Sequence, residues 1–443
     1  MRDDAAAGSL ALSGFSVFCL GSSPMNPFGV ARAHLLAIFA SALNAVDGRR
    51  RTAAFLSVHP PTRPVFLVAT GKAAGAMAAG AVDVLGDRLR RALVVSKPGH
   101  TDGNLANDRR FTCLEGGHPI PDRGSLAAGD ALIRFLETAP NDAELLFLIS
   151  GGTSSLVEVL PAGMTLATLQ QVNHWLLGSG LPIGAINRIR QALSCIKGGR
   201  LARWLEGRNT RALVISDVAG DDPALIGSGL LYPAVAKPPD TSQLPPWLKA
   251  LVVQYGATSE PDAACFKPVG HNIIARLEDA LEAAAAHARR LHYPASIIAS
   301  RLAGDAVQAG RTIVEYMADK PPGIYLWGGE TTVRLPAHPG RGGRCQSLAL
   351  SAATRMRQHD TLVLLAAGTD GADGPTATAG AVVDPMTVAR GTAGGLDALQ
   401  CLQAADAGSF LAASGDLITT GPTGTNVTDM VIMLNAGRVN PKR

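Results

Sequence analysis

Short, uninterrupted apolar runs that end in glycine recur along the chain, and an alanine-rich stretch with helical patterning often follows. The runs are Val65–Ala69 before Gly71-Lys72-Ala73, and Leu145–Ile149 before Ser150-Gly151-Gly152-Thr153-Ser154-Ser155. Ala212–Ile215 precedes Ser216-Asp217, Ile324–Trp327 precedes Gly328-Gly329-Glu330, and Leu362–Ala366 precedes Gly368-Thr369-Asp370-Gly371. Runs of this kind are the pattern of parallel strands buried on both faces. Helical patterning covers 29–46, 73–85, 124–138, 186–205, 276–291, 303–318 and 345–357. The alternation predicts an α/β fold built on an open, mainly parallel sheet with helices on both faces. Ligands of such sheets sit beyond the carboxyl ends of the strands, where all these glycine loops fall. For any single glycine, the plain alternative is a strand-to-helix turn.

Pro233, Pro238, Pro239, Pro245, Pro246, Pro261 and Pro268 crowd 232–268, which has little periodic hydrophobicity. This places a domain break there, with an N-terminal domain over 25–265 and a C-terminal α/β region over 266–443. Residues 1–24 read as a disordered extension. Leu10–Leu20 is too short to span a bilayer, and Asp3 and Asp4 beside a single Arg2 make a poor signal-peptide start. Met25 is an alternative start.

The 443 residues suit two or three domains at roughly 150 residues each. With 47% hydrophobic and 17% charged residues, a disordered or collagen-like chain is excluded. Lys and Arg exceed Asp and Glu by 40 − 36 = 4, too little to argue for nucleic acid. Nothing argues for a membrane, and the oligomeric state stays open, a homodimer included. Six scattered cysteines without a CxxC pair or zinc spacing read as reduced packing residues of a cytoplasmic protein. The P-loop, GxGxxG, GxSxG and HExxH signatures are all absent.

Other clusters carry the chemistry. The N–H groups and hydroxyls of Gly151, Gly152, Thr153, Ser154 and Ser155 can cradle an anion at a helix start, although an ordinary cap needs only one of them. Lys72 stands where a helix dipole disfavours a cation. Either a bound phosphate relieves it or the side chain reaches solvent. Asp217, Glu330 and Asp370 stand at strand ends and suit Mg²⁺, which takes one or two carboxylates with phosphate oxygens. Asp373 in an Asp-Gly pair reads as a turn former. Arg344, in Arg341-Gly342-Gly343-Arg344, can grip a carboxylate or phosphate. Thr423, Gly424, Thr425 and Asn426 form a second candidate cradle. His118, in Gly116-Gly117-His118-Pro119, is assigned no catalytic role.

The ordered series GKAAGAM (71–77), GGHPIPD (116–122), SGGTSSL (150–156), KGGRLA (197–202), SDVAGDDP (216–223), GGETTV (328–333), GRGGRCQSLAL (340–350), GTDGADGPTATAGAVVD (368–384) and TGPTGTNVTD (420–429) resembles the class II glycerate kinases. That family has an N-terminal glycerate kinase domain and a C-terminal MOFRL domain, here about 320–436. The resemblance implies a Rossmann-like domain, a smaller α/β domain and an active site in the cleft between them. Because Lys72, Ser154 and Asp217 lie in the N-terminal half and Glu330, Arg344, Asp370 and Asn426 in the C-terminal half, one phosphoryl transfer needs both, and the cleft is expected to close on ATP and glycerate. It implies transfer of phosphate from ATP to the 2-hydroxyl of D-glycerate, with Mg²⁺ or a similar divalent ion. The family's active-site lysine and arginine fall on Lys72 and Arg344, and Glu330, Asp370 and Asn426 match its other polar positions. Two departures are Cys345, where the family usually has Asn, and Ala219. The alternatives are a hydroxypyruvate reductase and a non-catalytic metabolite-binding protein on the same fold.

Overall fold

The computed structural model describes residues 10–12, 15–19, 27–101, 103–233, 239–256 and 261–437. Its strands, in chain order, are β1 Leu10–Leu12, β2 Phe15–Cys19, β3 Val65–Thr70, β4 Leu89–Ser96, β5 Phe111–Glu115, β6 Glu144–Ile149 and β7 Thr210–Ile215. They continue with β8 Val269–Ala275, β9 Ala295–Ile297, β10 Gly323–Gly329, β11 Leu362–Gly368, β12 Gly380–Val383, β13 Leu417–Thr419 and β14 Asp429–Asn435. The described residues divide into two compact units. One comprises 47–276 with 424–426, and the other comprises those of 1–46, 277–423 and 427–443.

The 47–276 unit holds a parallel sheet in the order β5-β4-β3-β6-β7-β8. β3 and β6 are buried along their whole length, which is why both read as continuous apolar runs. The helix Arg123–Thr138 packs Leu132, Phe135 and Leu136 onto Phe66, Val68 and Phe147 of the sheet. Asp122 and Ser125 close a capping box at its start. The helical patterning over 186–205 breaks into the helix Ile183–Ala192 and a 3-10 turn at Arg200–Leu205, because Gly198 and Gly199 between them are left-handed. The described residues of the proline-rich stretch, the expected domain break, fall inside this unit. Its helix Pro246–Tyr255 buries Leu248 and Val252 against Leu169, Val172 and Ile189, and the unit runs on to Arg276.

The other unit departs further from expectation. Its sheet runs β1-β2-β13-β12-β11-β14-β10-β9, and only the β9–β10 pair is parallel. β10 and β11 flank the antiparallel β14, and all three are buried throughout or nearly so. Burial on both faces produces an apolar run whichever way the strand points, so strand direction is not written in it. Two further expectations change. Leu10–Leu12 and Phe15–Cys19, expected within a disordered extension, are strands, and β2 pairs with β13. The rest of 1–26 lies outside the described residues.

The helix Gly29–Ala45, expected in the N-terminal domain, belongs with this second sheet. It buries Leu35, Ile38, Phe39 and Leu43, and packs on the helix Leu277–Arg290, β11 and β14. The stretch Gly29–Val58 is apolar and long enough to cross a membrane by composition. It turns instead at Val46-Asp47, where Asp47 caps the next helix through the Arg50 N–H.

Arg32, 1% exposed, anchors that first helix. Its guanidinium donates to Asp384 Oδ2 and Asp416 Oδ1, both at 2.7 Å, and the two carboxylates are fully buried. Arg390 bonds the same pair, at 3.0 Å to Asp384 and 2.7 Å to Asp416. Removing one partner from a buried ionic group strands its counter-charge, at a cost of about 3–5 kcal/mol. Arg32→Ala is therefore expected to lower unfolding free energy by about that much in urea denaturation. A loss below about 1 kcal/mol, the range of a surface ion pair, would refute the anchoring role.

Candidate active site

Parallel pairing places Thr70 beside Val95 and Ile149, and Ile149 beside Val214. The loops after β3, β6 and β7 therefore leave one edge of the sheet side by side. Two of them are stitched together. The Lys72 N–H donates to Gly151 O at 2.9 Å, and the Ala73 N–H to Ser150 Oγ at 3.0 Å. Gly71 has φ +117°, and a Cβ there would stand 2.2 Å from Ser150 Oγ, so the approach of the two loops requires glycine.

Gly151 is the close-packed centre of this region. A Cβ on it would fall 1.9 Å from Asp217 Oδ2 and 2.1 Å from Asn426 Nδ2. Those two side chains are bonded, Asn426 Nδ2 donating to Asp217 Oδ2 at 3.3 Å. A Cβ on Gly152 would meet Lys72 Cγ at 3.3 Å and His118 Cδ2 at 3.2 Å. Lys72, Gly151, Gly152, Asp217 and Asn426 thus share one small region, and His118, assigned no role from sequence, borders it. Its loop is tied to the start of the next helix, where the Gly117 N–H is shared between Asp122 Oδ1 and Ser125 Oγ.

The hydroxyls of the 150–155 loop differ from expectation. Thr153 Oγ1 donates its one hydrogen to Ser150 O at 2.7 Å, with Thr70 O 3.0 Å away, and Ser155 Oγ donates to Gly152 O. As donors they are committed to the backbone. Ser154 Oγ instead lies 2.8 Å from Ser228 Oγ. Gly424 and Thr425 belong to the same unit as Asn426, and Thr425 Oγ1 is buried without a hydrogen-bond partner. Behind the loop, the buried Lys197 pairs with Glu158, which also accepts from Ser194 Oγ at 2.5 Å. Burial pushes the Lys197 pKa down, and Glu158 opposes that shift.

The remaining predicted residues lie in the other unit. β14 pairs Asp429 with Gly329 of β10 and with Gly368 of β11, so the Glu330 and Asp370 loops leave that sheet on either side of Asp429. Arg344 opens the helix Arg344–Ala353 and forks onto Asp429, Nε to Oδ2 at 2.5 Å and Nη2 to Oδ1 at 2.9 Å. Its Nη1 lies 2.9 Å from Glu330 Oε1. Burial disfavours the Arg344 charge, but Asp429 and Glu330 outweigh it and hold the group protonated.

Asp370 Oδ1 accepts the Ala372 N–H at 3.0 Å. Thr423 Oγ1 donates to Thr369 O, so this hydroxyl is also spent on the backbone. Asp373, read as a turn former, caps the Arg344 helix by accepting the Cys345 and Gln346 N–H groups at 3.1 and 2.8 Å. The thiol of Cys345 sits against Asp429, and burial together with Asp429 and Asp373 pushes its pKa well up. Sequence reasoning gave Asp429 no role, although it closes the motif 420–429.

The chain matches two family models: a domain of unknown function, DUF4147, over residues 34–253 and the MOFRL family over 323–429. A D-glycerate 2-kinase of Thermotoga maritima is 38% identical over 387 residues, covering 84% of this chain and 90% of that protein. The crystal structure of a glycerate kinase from the same organism aligns with TM-score 0.76 and 34% identity, over 92% of this chain and 99% of the other.

The chain belongs to the glycerate kinase family.

An Agrobacterium vitis protein carrying a hydroxypyruvate reductase name is also 36% identical over 426 residues, 91% of this chain and 94% of its own. Among the described residues, no group of three or more His, Cys, Asp and Glu side chains is gathered to hold a metal. Mg²⁺ that arrives on a nucleotide needs only one or two protein carboxylates. Asp217, half-buried at the end of a parallel strand beside a glycine loop, fits that requirement, and Glu330 meets Arg344 through one carboxylate oxygen, Oε1.

In this glycerate kinase family member, Asp373 titrates near neutrality. Burial and then the Asp429 charge raise its carboxyl from 3.8 to about 7, against the Gln346 and Cys345 N–H groups and Arg344. A carboxyl raised on folding binds more protons folded than unfolded. Its stabilising contribution is full below 3.8 and is lost as pH rises to about 7. The unfolding free energy of wild type relative to Asp373→Asn should fall across that window, by at most about 1.4 kcal/mol per pH unit. Denaturation curves at several pH values measure this, and parallel profiles would show that Asp373 is ionised throughout.

Proposed function

We propose that the protein is a glycerate 2-kinase, moving the γ-phosphoryl group of ATP to the 2-hydroxyl of D-glycerate to give 2-phosphoglycerate and ADP. The observation that carries this reading is the similarity to a D-glycerate 2-kinase over most of both chains. The clustering of Lys72, Asp217 and Asn426 about one glycine loop supports it.

Phosphoryl transfer asks chiefly for positioning and charge neutralisation. Lys72 is assigned to the transferred phosphoryl group, whose charge it stabilises. With the Thr153 and Ser155 hydroxyls and the Ser150 and Ser155 N–H groups spent on backbone carbonyls, the main-chain N–H groups of 151–154 are assigned as the loop's anion donors. Three of the five N–H groups of Arg344 face Asp429 and Glu330, and the other two are assigned to the glycerate carboxylate. Asp217 would hold a Mg²⁺ carried by ATP, and that ion neutralises phosphate charge when bound. Asp370 is assigned to the 2-hydroxyl proton. The cysteines Cys113, Cys195, Cys265, Cys345 and Cys401 are free, in keeping with a reducing, cytoplasmic setting.

The second reading, hydroxypyruvate reduction, rests on the name of a relative. Hydride transfer would need a dinucleotide site, and the loop after β3 reads Gly71-Lys72-Ala73 without the GxGxxG fingerprint. ATP-dependent turnover of D-glycerate set against NADH oxidation with hydroxypyruvate separates the two. The kinase product should feed enolase without a mutase, and exclusive formation of the 3-phosphate would defeat the assignment. Lys72→Ala should lose about 10²-fold or more in kcat with an unchanged melting curve. Wild-type turnover by that variant would make Lys72 a solvated lysine with no part in transfer.

A further inference from the structure

The Ser154 hydroxyl sits at the end of a hydrogen-bond chain whose direction is fixed from its far end. Asn187 Nδ2 donates to Leu225 O at 3.2 Å, which orients the amide and turns Oδ1 toward Ser228. Ser228 Oγ donates to that Oδ1 at 3.2 Å. A hydroxyl carries one hydrogen, so Ser228 has none left for Ser154. In the 2.8 Å contact between the two serines, Ser154 is therefore the donor. Its own hydrogen is spent, and toward a ligand Ser154 Oγ presents only lone pairs.

Ser228 is held in place to do this. It is fully buried and left-handed at φ 58°, a conformation that costs a non-glycine residue free energy and persists where surrounding contacts impose it. Those contacts are present. Its carbonyl accepts from Gln191 Nε2 at 3.2 Å and from the Gly198 N–H at 3.0 Å, while its N–H donates to Leu225 O at 3.1 Å.

We infer that Ser154 accepts a hydrogen bond from a ligand hydroxyl that is not phosphorylated, and that Ser228 and Asn187 are positioning residues that impose this polarity. A phosphate oxygen, having no hydrogen to give, is the wrong partner. The sources of such a hydroxyl are the 3-hydroxyl of glycerate and the ribose of ATP, so the inference rests on the kinase reading. It replaces the expectation of Ser154 as part of a phosphate cradle.

The test compares wild type, Ser154→Ala and Ser228→Gly. Glycine suits φ 58° and removes the Ser228 hydroxyl together with its Cβ. Each protein is assayed with D-glycerate against D-lactate, which lacks the 3-hydroxyl, and with ATP against 2′-deoxy-ATP and 3′-deoxy-ATP. Wild type should prefer the hydroxylated member of one pair. Both variants should lose about 3–10-fold of that preference in kcat/KM, the size of one neutral hydrogen bond. The pair affected identifies the source. Unchanged preferences in Ser154→Ala overturn the inference, even if Ser228→Gly fails to fold, and so does a fall in kcat with both preferences intact. Titration calorimetry with the same ligands reads the hydroxyl preference without turnover. A wild type that cannot phosphorylate D-glycerate thus sinks the functional reading, while the calorimetric preferences still decide the inference.

Discussion

Parallel hydrogen-bond register is the constraint on which the Lys72 region depends. With Thr70 level with Ile149, and Ile149 level with Val214, three strands end within one row of each other. The residues that follow are Gly71-Lys72, Ser150-Gly151 and Ser216-Asp217, and they have no choice but to share an edge. Register also explains the small residues there. Side chains such as Asp217 and Asn426 reach over a neighbouring loop, so the loop beneath must give up its own Cβ. A slip of one residue in any of the three strands would exchange the side chains of its two faces and separate these groups together.

The second unit reaches a similar end by antiparallel pairing. Asp429 begins β14 between the ends of β10 and β11, and it organises charge for the groups around it. It anchors Arg344 as a two-pronged partner, supports the Cys345 thiol and pushes up the carboxyl of Asp373. A guanidinium fixed in this way is pre-organised for a planar anion. Phosphoryl transfer favours charges that are already set before the transition state forms.

Much of this was readable from the chain, for physical reasons. Val65–Ala69 and Leu145–Ile149 announce themselves because burial on both faces leaves no polar alternation. Lys72, Asp217 and Arg344 stand out because charged residues in glycine loops at strand ends are hard to explain by packing. What escaped depends on distant partners. Nothing near Ile324–Trp327 says that its neighbour β14, over a hundred residues on, runs the opposite way. Helix 29–45 looks like the first helix of the domain it precedes, until Asp384 and Asp416 claim Arg32. Asp373 looks like a turn former, and its capping role appears only once the Arg344 helix lies beside it. The polarity of Ser154 is set by Asn187 and Ser228, neither of which is unusual in sequence.

The salt-bridged first helix also bears on how the nascent chain matures. Arg32 leaves the ribosome 352 residues before Asp384, a delay of tens of seconds at about 5–20 residues per second. Residues 47–276 can complete their parallel sheet during that interval, lacking only the short 424–426 insert. The first helix must meanwhile carry Leu35, Ile38, Phe39 and Leu43 without the surface that will bury them. Helix 29–45 is thus made well before the surface that fixes it, and a holding chaperone has a long opportunity at that segment.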